Sequence, residues 1–333
     1  MRNDVIPLPF DPFDPPVLSL PKMMWRPFLL SPLEASFERR GFASSSKERT
    51  AQLETIGGAF IEGYNKGLLA KGAAEVRLAS MDVDPFFRGF AVEGSAMGVA
   101  VHDAFSLRRP VLPELLAEFA PDFTYLAQVG CGWAMARLPW RRAPILKALD
   151  PLLRWLAFDG MGFHDTYFKP RRIMSFWRRV SSGYAARAYD QGVGRAIWFV
   201  RGGSVEDAVH TIRRFPSTRQ SDLWAGLGLA MAYAGCADRS DFRIALAAAV
   251  LNRGHFAQGI AFACEARARA GVPPRAADLA AMTVCDMSAL ELSERVRVAR
   301  EDLSAGDPDV PDYEVWRGRT SSSLTISRLE AAE

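Results

Sequence analysis

Residues 183–235 constrain the fold more than any other stretch. GYAARAYDQGVGRAIWFV and, shortly after, RQSDLWAGLGLAMAYAG are dense in glycine, alanine and aromatics. They nevertheless carry Asp190, Arg195, Arg219 and Asp222 among apolar neighbours. A charge in such text must reach water, find a partner or line a cavity, because burying it alone is very costly. β-branched alternation is scarce throughout the chain, while apolar residues recur at helical spacing. In KERTAQLETIGGAFIEGYNKGLLA the spacing places Leu53, Ile56, Phe60, Ile61 and Leu68 on one face. The expected class is therefore mainly α, a helical-repeat-like body. Helices are expected at 113–120, 124–138, 144–158, 174–200, 204–214 and 220–235, and again at 241–251, 255–270, 275–284 and 288–303. A loop is expected around Pro85 over 82–90, and there is room for a few short strands, for instance around Val76–Ser80.

Two pairs of blocks repeat in the same order. GYNKG at 63–67 resembles AYDQG at 188–192, an offset of 125 residues, and YLAQVGCGWAMAR at 125–137 resembles HFAQGIAFACEAR at 255–267, an offset of 130. They suggest an internal duplication, with helical halves at 36–173 and 174–304 related by a pseudo-twofold axis and a cleft between them. Residues 1–35 hold Pro7, Pro9, Pro12, Pro15, Pro16, Pro21, Pro27 and Pro32, which exclude a long helix. The interleaved Phe10, Phe13, Trp25 and Phe28 predict a strap across the body, with Ser31 and Pro32 opening a short helix. After 304 a C-terminal extension follows, with Tyr313 and Trp316 docking on the body and 318–333 frayed.

A formal charge of +3 over 333 residues gives no electrostatic case for nucleic acid. No segment reaches the length of uninterrupted apolar residues that a membrane-spanning helix needs, and no apolar signal core opens the chain. A cytoplasmic location is expected, with a homodimer as the default assembly. Cys131, Cys236, Cys264 and Cys285 are too widely spaced for a zinc or redox motif and read as buried thiols. Glu206 and His210 sit four apart on one helix face but lack a third ligand, so no metal is called. There is no GxGxxG after a strand, P-loop, GxSxG or HExxH, which leaves the cofactor, if one is used, unassigned.

Candidate chemistry comes from charges in apolar text. LDPLLRWLAFDGMGFHDTYF at 149–168 brings Asp159, His164, Asp165 and Tyr167 together, expected as a helix ending at Gly160 or Gly162. Glu93 is the most isolated acid of the first half and a candidate partner of Arg195 or Arg219; Asp190 and Arg195 flank Gly192 and Gly194. Glu93, His164 and Asp190 are the candidate proton-transfer groups. Arg195 and Asp222, with Trp133, Trp198 and Trp224, are the candidate ligand contacts. Aromatic and methionine side chains beside Gly/Ala helices can line an apolar pocket.

These blocks resemble a bacterial family of unknown function whose members accompany enediyne polyketide synthases. The resemblance runs over roughly 36–320 through RRGF at 39–42, FIEGYN at 60–65, GFAVEGSAMG at 89–98 and GCGWAMARL at 130–138. It continues through 149–168, YDQGVGRAIWFV at 189–200, 219–235 and the AQG of 257–259. It implies an accessory protein of antibiotic biosynthesis that binds a hydrophobic polyene intermediate and takes part in its desaturation or rearrangement. A non-catalytic scaffold for the polyketide synthase or other cassette proteins is the alternative. A cyclase is a distant third, since no DDxxD-type acidic cluster is present. The family supplies no catalytic residues to carry over.

Overall fold

A computed structural model of the chain describes residues 23–173, 183–272, 275–303 and 310–327. The prolines and phenylalanines expected to form the strap before residue 23, the first part of the 174–200 helix and the tail from 328 lie outside the described residues. The structure is mainly α, and no strand is present among the described residues. The stretch with strand character, Val76–Ser80, is helical: Val76 and Ser80 are both buried on one face of a short helix, a period of four rather than two.

Long helices alternate with shorter ones. The long ones are α1 (Lys47–Leu69), α3 (Arg88–Phe105), α5 (Thr124–Arg137), α7 (Trp155–Phe168), α8 (Gly183–Val200), α10 (Ser217–Ala234) and α12 (Arg253–Arg269). The shorter ones are α2 (Ala73–Met81), α4 (Leu112–Phe119), α6 (Arg142–Ala148), α9 (Val205–Arg213), α11 (Arg239–Ala249), α13 (Arg275–Cys285) and α14 (Ala289–Ala299), with α15 (Asp312–Ser323) closing the order. Each long helix packs most closely on the long helix before it and the one after it. The succession curls back on itself. Gln52 on α1 donates to the Ala234 carbonyl at 2.8 Å, Arg49 pairs with Asp241 at 2.7 Å, and Arg267 on α12 donates to the Phe86 carbonyl at 2.7 Å.

Glycine sets how closely these helices approach. In Gly130/Gly132, Gly160/Gly162, Gly192/Gly194 and Gly226/Gly228 the first glycine abuts the preceding long helix and the second the following one. A Cβ on Gly192 would overlap the Asp159 carbonyl oxygen, and one on Gly162 the Tyr189 carbonyl oxygen. The glycines therefore lie inside helices, and α7 runs unbroken through Gly160 and Gly162, where the sequence suggested an end. The expected 144–158 helix is in fact two. Asp150 accepts the Leu152 and Leu153 amides at 2.8 and 3.0 Å, and this local turn beside Pro151 breaks the helix between α6 and α7.

The sequence echoes fall into place on this frame. GYNKG and AYDQG lie on α1 and α8, four long helices apart, and the second pair lies on α5 and α12, also four apart. A step of one long and one short helix accounts for both offsets, and a pseudo-twofold relation between halves is not shown. Ser31 caps a single 3-10 turn at Pro32–Ala35 as expected, and Gly41 ends the Phe37–Arg40 turn in the left-handed region at φ 65°. Residues 25–30 do strap the body: Trp25 stacks on His102 at 4.7 Å, and the Tyr64 hydroxyl donates to the Phe28 carbonyl at 2.9 Å. The serine run of the tail is not frayed but completes α15, where Thr320 is fully buried and Tyr313 and Trp316 dock. All four cysteines are free, and Cys236 is half-buried where full burial was expected. No helix among the described residues is long and apolar enough to cross a membrane.

Candidate functional site

The curl of long helices leaves two chambers inside the bundle. The first holds about 650 Å³ of space between atoms, open solvent included. Its walls include the rings of Phe60, Phe90, Trp133, Phe163, Tyr167 and Tyr233, and its charged lining residues are Glu34, Glu93 and Arg195. The second chamber holds about 540 Å³ between Tyr125, Leu156, Phe262, Tyr313 and Trp316, and carries Asp159 and Glu265. Arg195, Leu229 and Tyr233 belong to both linings and form the partition. Both chambers take residues from either side of position 174.

Five helices build the partition, α3, α5, α7, α8 and α10. Arg195 on α8 donates through Nη1 to Asp159 on α7, and its Nη2 lies 3.6 Å from Glu93 on α3. Trp133 on α5 donates Nε1 to Glu93 Oε1 at 2.8 Å, and Gln191, one turn before Arg195, donates to Asp159 at 2.8 Å. The Arg195 guanidinium also lies 5.1 Å from the centre of the Phe163 ring. All five polar side chains are buried. Two carboxylates thus share one guanidinium, Asp159 at the closer contact and Glu93 at the longer, and each has a second donor, Gln191 for Asp159 and Trp133 for Glu93.

That inequality shows in Glu93. Burial pushes its carboxyl from the ordinary 4.5 up to about 7, against the opposing pull of Arg195 and of the Trp133 hydrogen bond. Near neutrality such an acid can both give and take a proton. The folded protein holds this proton more tightly than the unfolded chain does. Its contribution to stability is therefore complete below pH 4.5 and is lost as pH rises to about 7. The loss over that window is about 3 kcal/mol for this one group. Urea unfolding of Glu93→Gln at a series of pH values is expected to show a flatter dependence between these limits than the parent.

Tyr233 completes the partition. Its hydroxyl is buried with no hydrogen-bond partner, and the Arg267 guanidinium stacks 3.9 Å from its ring centre. Arg267 itself donates to the Phe86 and Tyr233 carbonyls at 2.7 and 2.5 Å, and burial lowers its pKa. In the second chamber Glu265 accepts from Tyr125 at 3.3 Å and from Ser293 at 2.7 Å. Helix α15 closes this chamber and is held by Arg317, which pairs with Asp222 at 2.9 Å, and by Glu314, which pairs with Arg187 at 2.8 Å.

Of the residues singled out in the sequence, Glu93, Arg195 and Trp133 meet in one site. His164 lies behind it, edge-on to Trp133 at 5.6 Å, with Nδ1 3.2 Å from Asp165 and Nε2 buried without a partner. Burial holds its pKa below the usual 6.5, opposed by Asp165. Asp190 is not paired with Arg195 but with Arg219, at 2.5 Å, outside both chambers. Asp222 is taken up by Arg187 and Arg317. Trp198 donates to the Gly235 carbonyl at 3.3 Å, and Trp224 packs edge-on to Phe256; neither lines a chamber. Glu206 and His210 are both exposed, and no group of three or more metal-ligating side chains occurs among the described residues.

Gln191, Tyr233 and Glu265 are polar site residues that the sequence reading did not select, and it named Asp159 without giving it a role. A signal for Asp159 was present: Glu93–Gly94, Asp159–Gly160, Gln191–Gly192 and Gln258–Gly259 each set a polar residue just before the glycine that touches the preceding long helix. Three of these four build or border the partition.

Fold and site together define an all-α protein with a curled succession of helices around paired apolar chambers and a charged partition. The chain belongs to the family described as "Protein of unknown function (DUF1702)", whose model matches residues 22–324. Comparison with curated proteins and with solved structures finds no match.

Proposed function

We propose that the protein binds a slender conjugated apolar molecule in the first chamber, reaching toward the second past Arg195, and that Glu93 moves a proton to or from it. The observation that carries this reading is the placement of one buried carboxyl of near-neutral pKa at the junction of two ring-lined chambers. Flat rings offer large contact area to a flat chain, and such rings line the first chamber. The groups at the partition handle protons and hydrogen bonds. The reaction class they support is a double-bond shift, in which one proton is added at one carbon and another removed further along, with no net change in oxidation state. The unpartnered Tyr233 hydroxyl is the second polar contact available to a bound molecule.

The sequence resemblance extends this proposal to the linear polyene of an enediyne polyketide synthase and to a role as an accessory protein beside that synthase. The ligand class rests on the chamber; the pathway rests on the resemblance. A non-catalytic scaffold is favoured by a different observation, the full pairing of Asp190 and Asp222 with arginines. The methyl ester of parinaric acid, a neutral linear tetraene, separates the two. Saturable quenching of tryptophan emission is expected. Ala230→Leu, which fills the first chamber, should weaken it, and Glu93→Gln should leave it in place. In D₂O the parent should exchange deuterium into the bound tetraene and Glu93→Gln should not. Absence of saturable binding would favour the scaffold.

A further inference from the structure

We infer that the surface cleft beside the first chamber binds the anionic end of the ligand whose apolar chain lies inside; this rests on the ligand class proposed above. The cleft holds about 1090 Å³ of space between atoms, open solvent included, against about 650 and 540 Å³ for the two chambers. Its lining includes Arg40, Lys169, Arg171 and Arg201 and, among the described residues, no acid. Lys169 and Arg171 are exposed, and Arg201 is half-buried with Nε donating to Thr211 Oγ1 at 2.9 Å. None of these three forms an ion pair among the described residues. Cations gathered without a carboxylate repel one another and concentrate anions from solution.

Exposed cations alone would say little, since surface charges commonly have no specific role. What distinguishes this group is the wall it shares with the chamber. Phe168 lines both the cleft and the first chamber. Arg40 lies 4.2 Å above the Phe168 ring on the cleft side, and Arg137 lies 5.3 Å from the same ring. Arg40 is paired with Glu34, and Glu34 lines the chamber. One ring and one ion pair therefore separate a cationic, water-filled cleft from a ring-lined apolar cavity. An amphiphile with an oxyanion at one end of a long chain matches both sides of that wall. A carboxylate and a phosphate share this chemistry, the first on a free acid and the second on a phosphate-bearing thioester carrier.

The test is a fluorescence titration at low ionic strength with three probes: parinaric acid, its methyl ester and parinaroyl-coenzyme A. The acid is expected to bind about tenfold more tightly than the ester, with the preference falling as salt is added. Lys169→Glu combined with Arg171→Glu, both at exposed positions, should abolish the preference and leave the melting temperature and the ester affinity unchanged. Tighter binding of the coenzyme A thioester than of the acid would assign the cleft to a phosphate; equal or weaker binding would assign it to a free carboxylate. Equal affinities for acid and ester, untouched by the double substitution, would overturn the inference and leave the chamber proposal standing. If neither acid nor ester binds, the chamber proposal fails and this one falls with it.

Discussion

Gly192→Ala is expected to destabilise the protein by about 3 kcal/mol or more, well above the effect of an average substitution. The added methyl would overlap the Asp159 carbonyl oxygen, with the Phe163 amide close behind. Backbone cannot step aside as the end of a flexible side chain can, so α7 and α8 would have to separate. That separation would also lengthen the contact between Arg195 and Asp159, because these residues sit on the same two helices. Gly58 provides the comparison. It lies within α1 with nothing in reach of its missing Cβ, so Gly58→Ala should be neutral or stabilise by up to about 1 kcal/mol through helix propensity. Urea unfolding of both variants checks the pair; similar stabilities would mean that the glycines do not set the spacing.

Arg195→Met should cost about 3–5 kcal/mol, the range for leaving buried charge unpaired. Asp159 and Glu93 would lose their shared cation while remaining buried. The two acids should respond differently. Arg195 is the largest influence lowering the Glu93 pKa, so without it Glu93 stays protonated to higher pH. The penalty should therefore be larger at pH 8, where the Glu93 carboxyl is driven to ionise, than at pH 5, where it is already neutral. Combining Arg195→Met with Asp159→Asn should recover a large part of the loss. Thermal melts of the parent and both variants at the two pH values test this, and a pH-independent penalty would contradict the unequal sharing of Arg195.

Much of the fold was legible because helical spacing and helix breakers are local. Leu53, Ile56, Phe60, Ile61 and Leu68 were readable as one face, and most helix ends fall within a few residues of expectation. What misled was glycine. Alone in a sequence, DGMG reads as a helix stop, since glycine lacks helix propensity; packed against a neighbouring backbone it is the residue that permits the helix to continue in place. The same ambiguity hid the short repeat beneath two four-step echoes. At the site, Glu93, Arg195 and Trp133 were found because charge and indole in apolar text are unusual wherever they lie. Their partners were less accessible. Asp190 lies five residues before Arg195, at a helical spacing that turns the two side chains apart, so Arg195 meets Asp159 on the adjacent helix instead. Tyr233 and Glu265 look like ordinary helix residues until the curl of the chain brings α10 and α12 back to α5.

The most direct test of the central claim is a crystal structure of the protein grown with parinaric acid. The account predicts the tetraene between the rings of Trp133, Phe163 and Tyr233, within contact of the Glu93 carboxyl. A chamber closed by side chains, with the tetraene bound only at the surface or not at all, would contradict it.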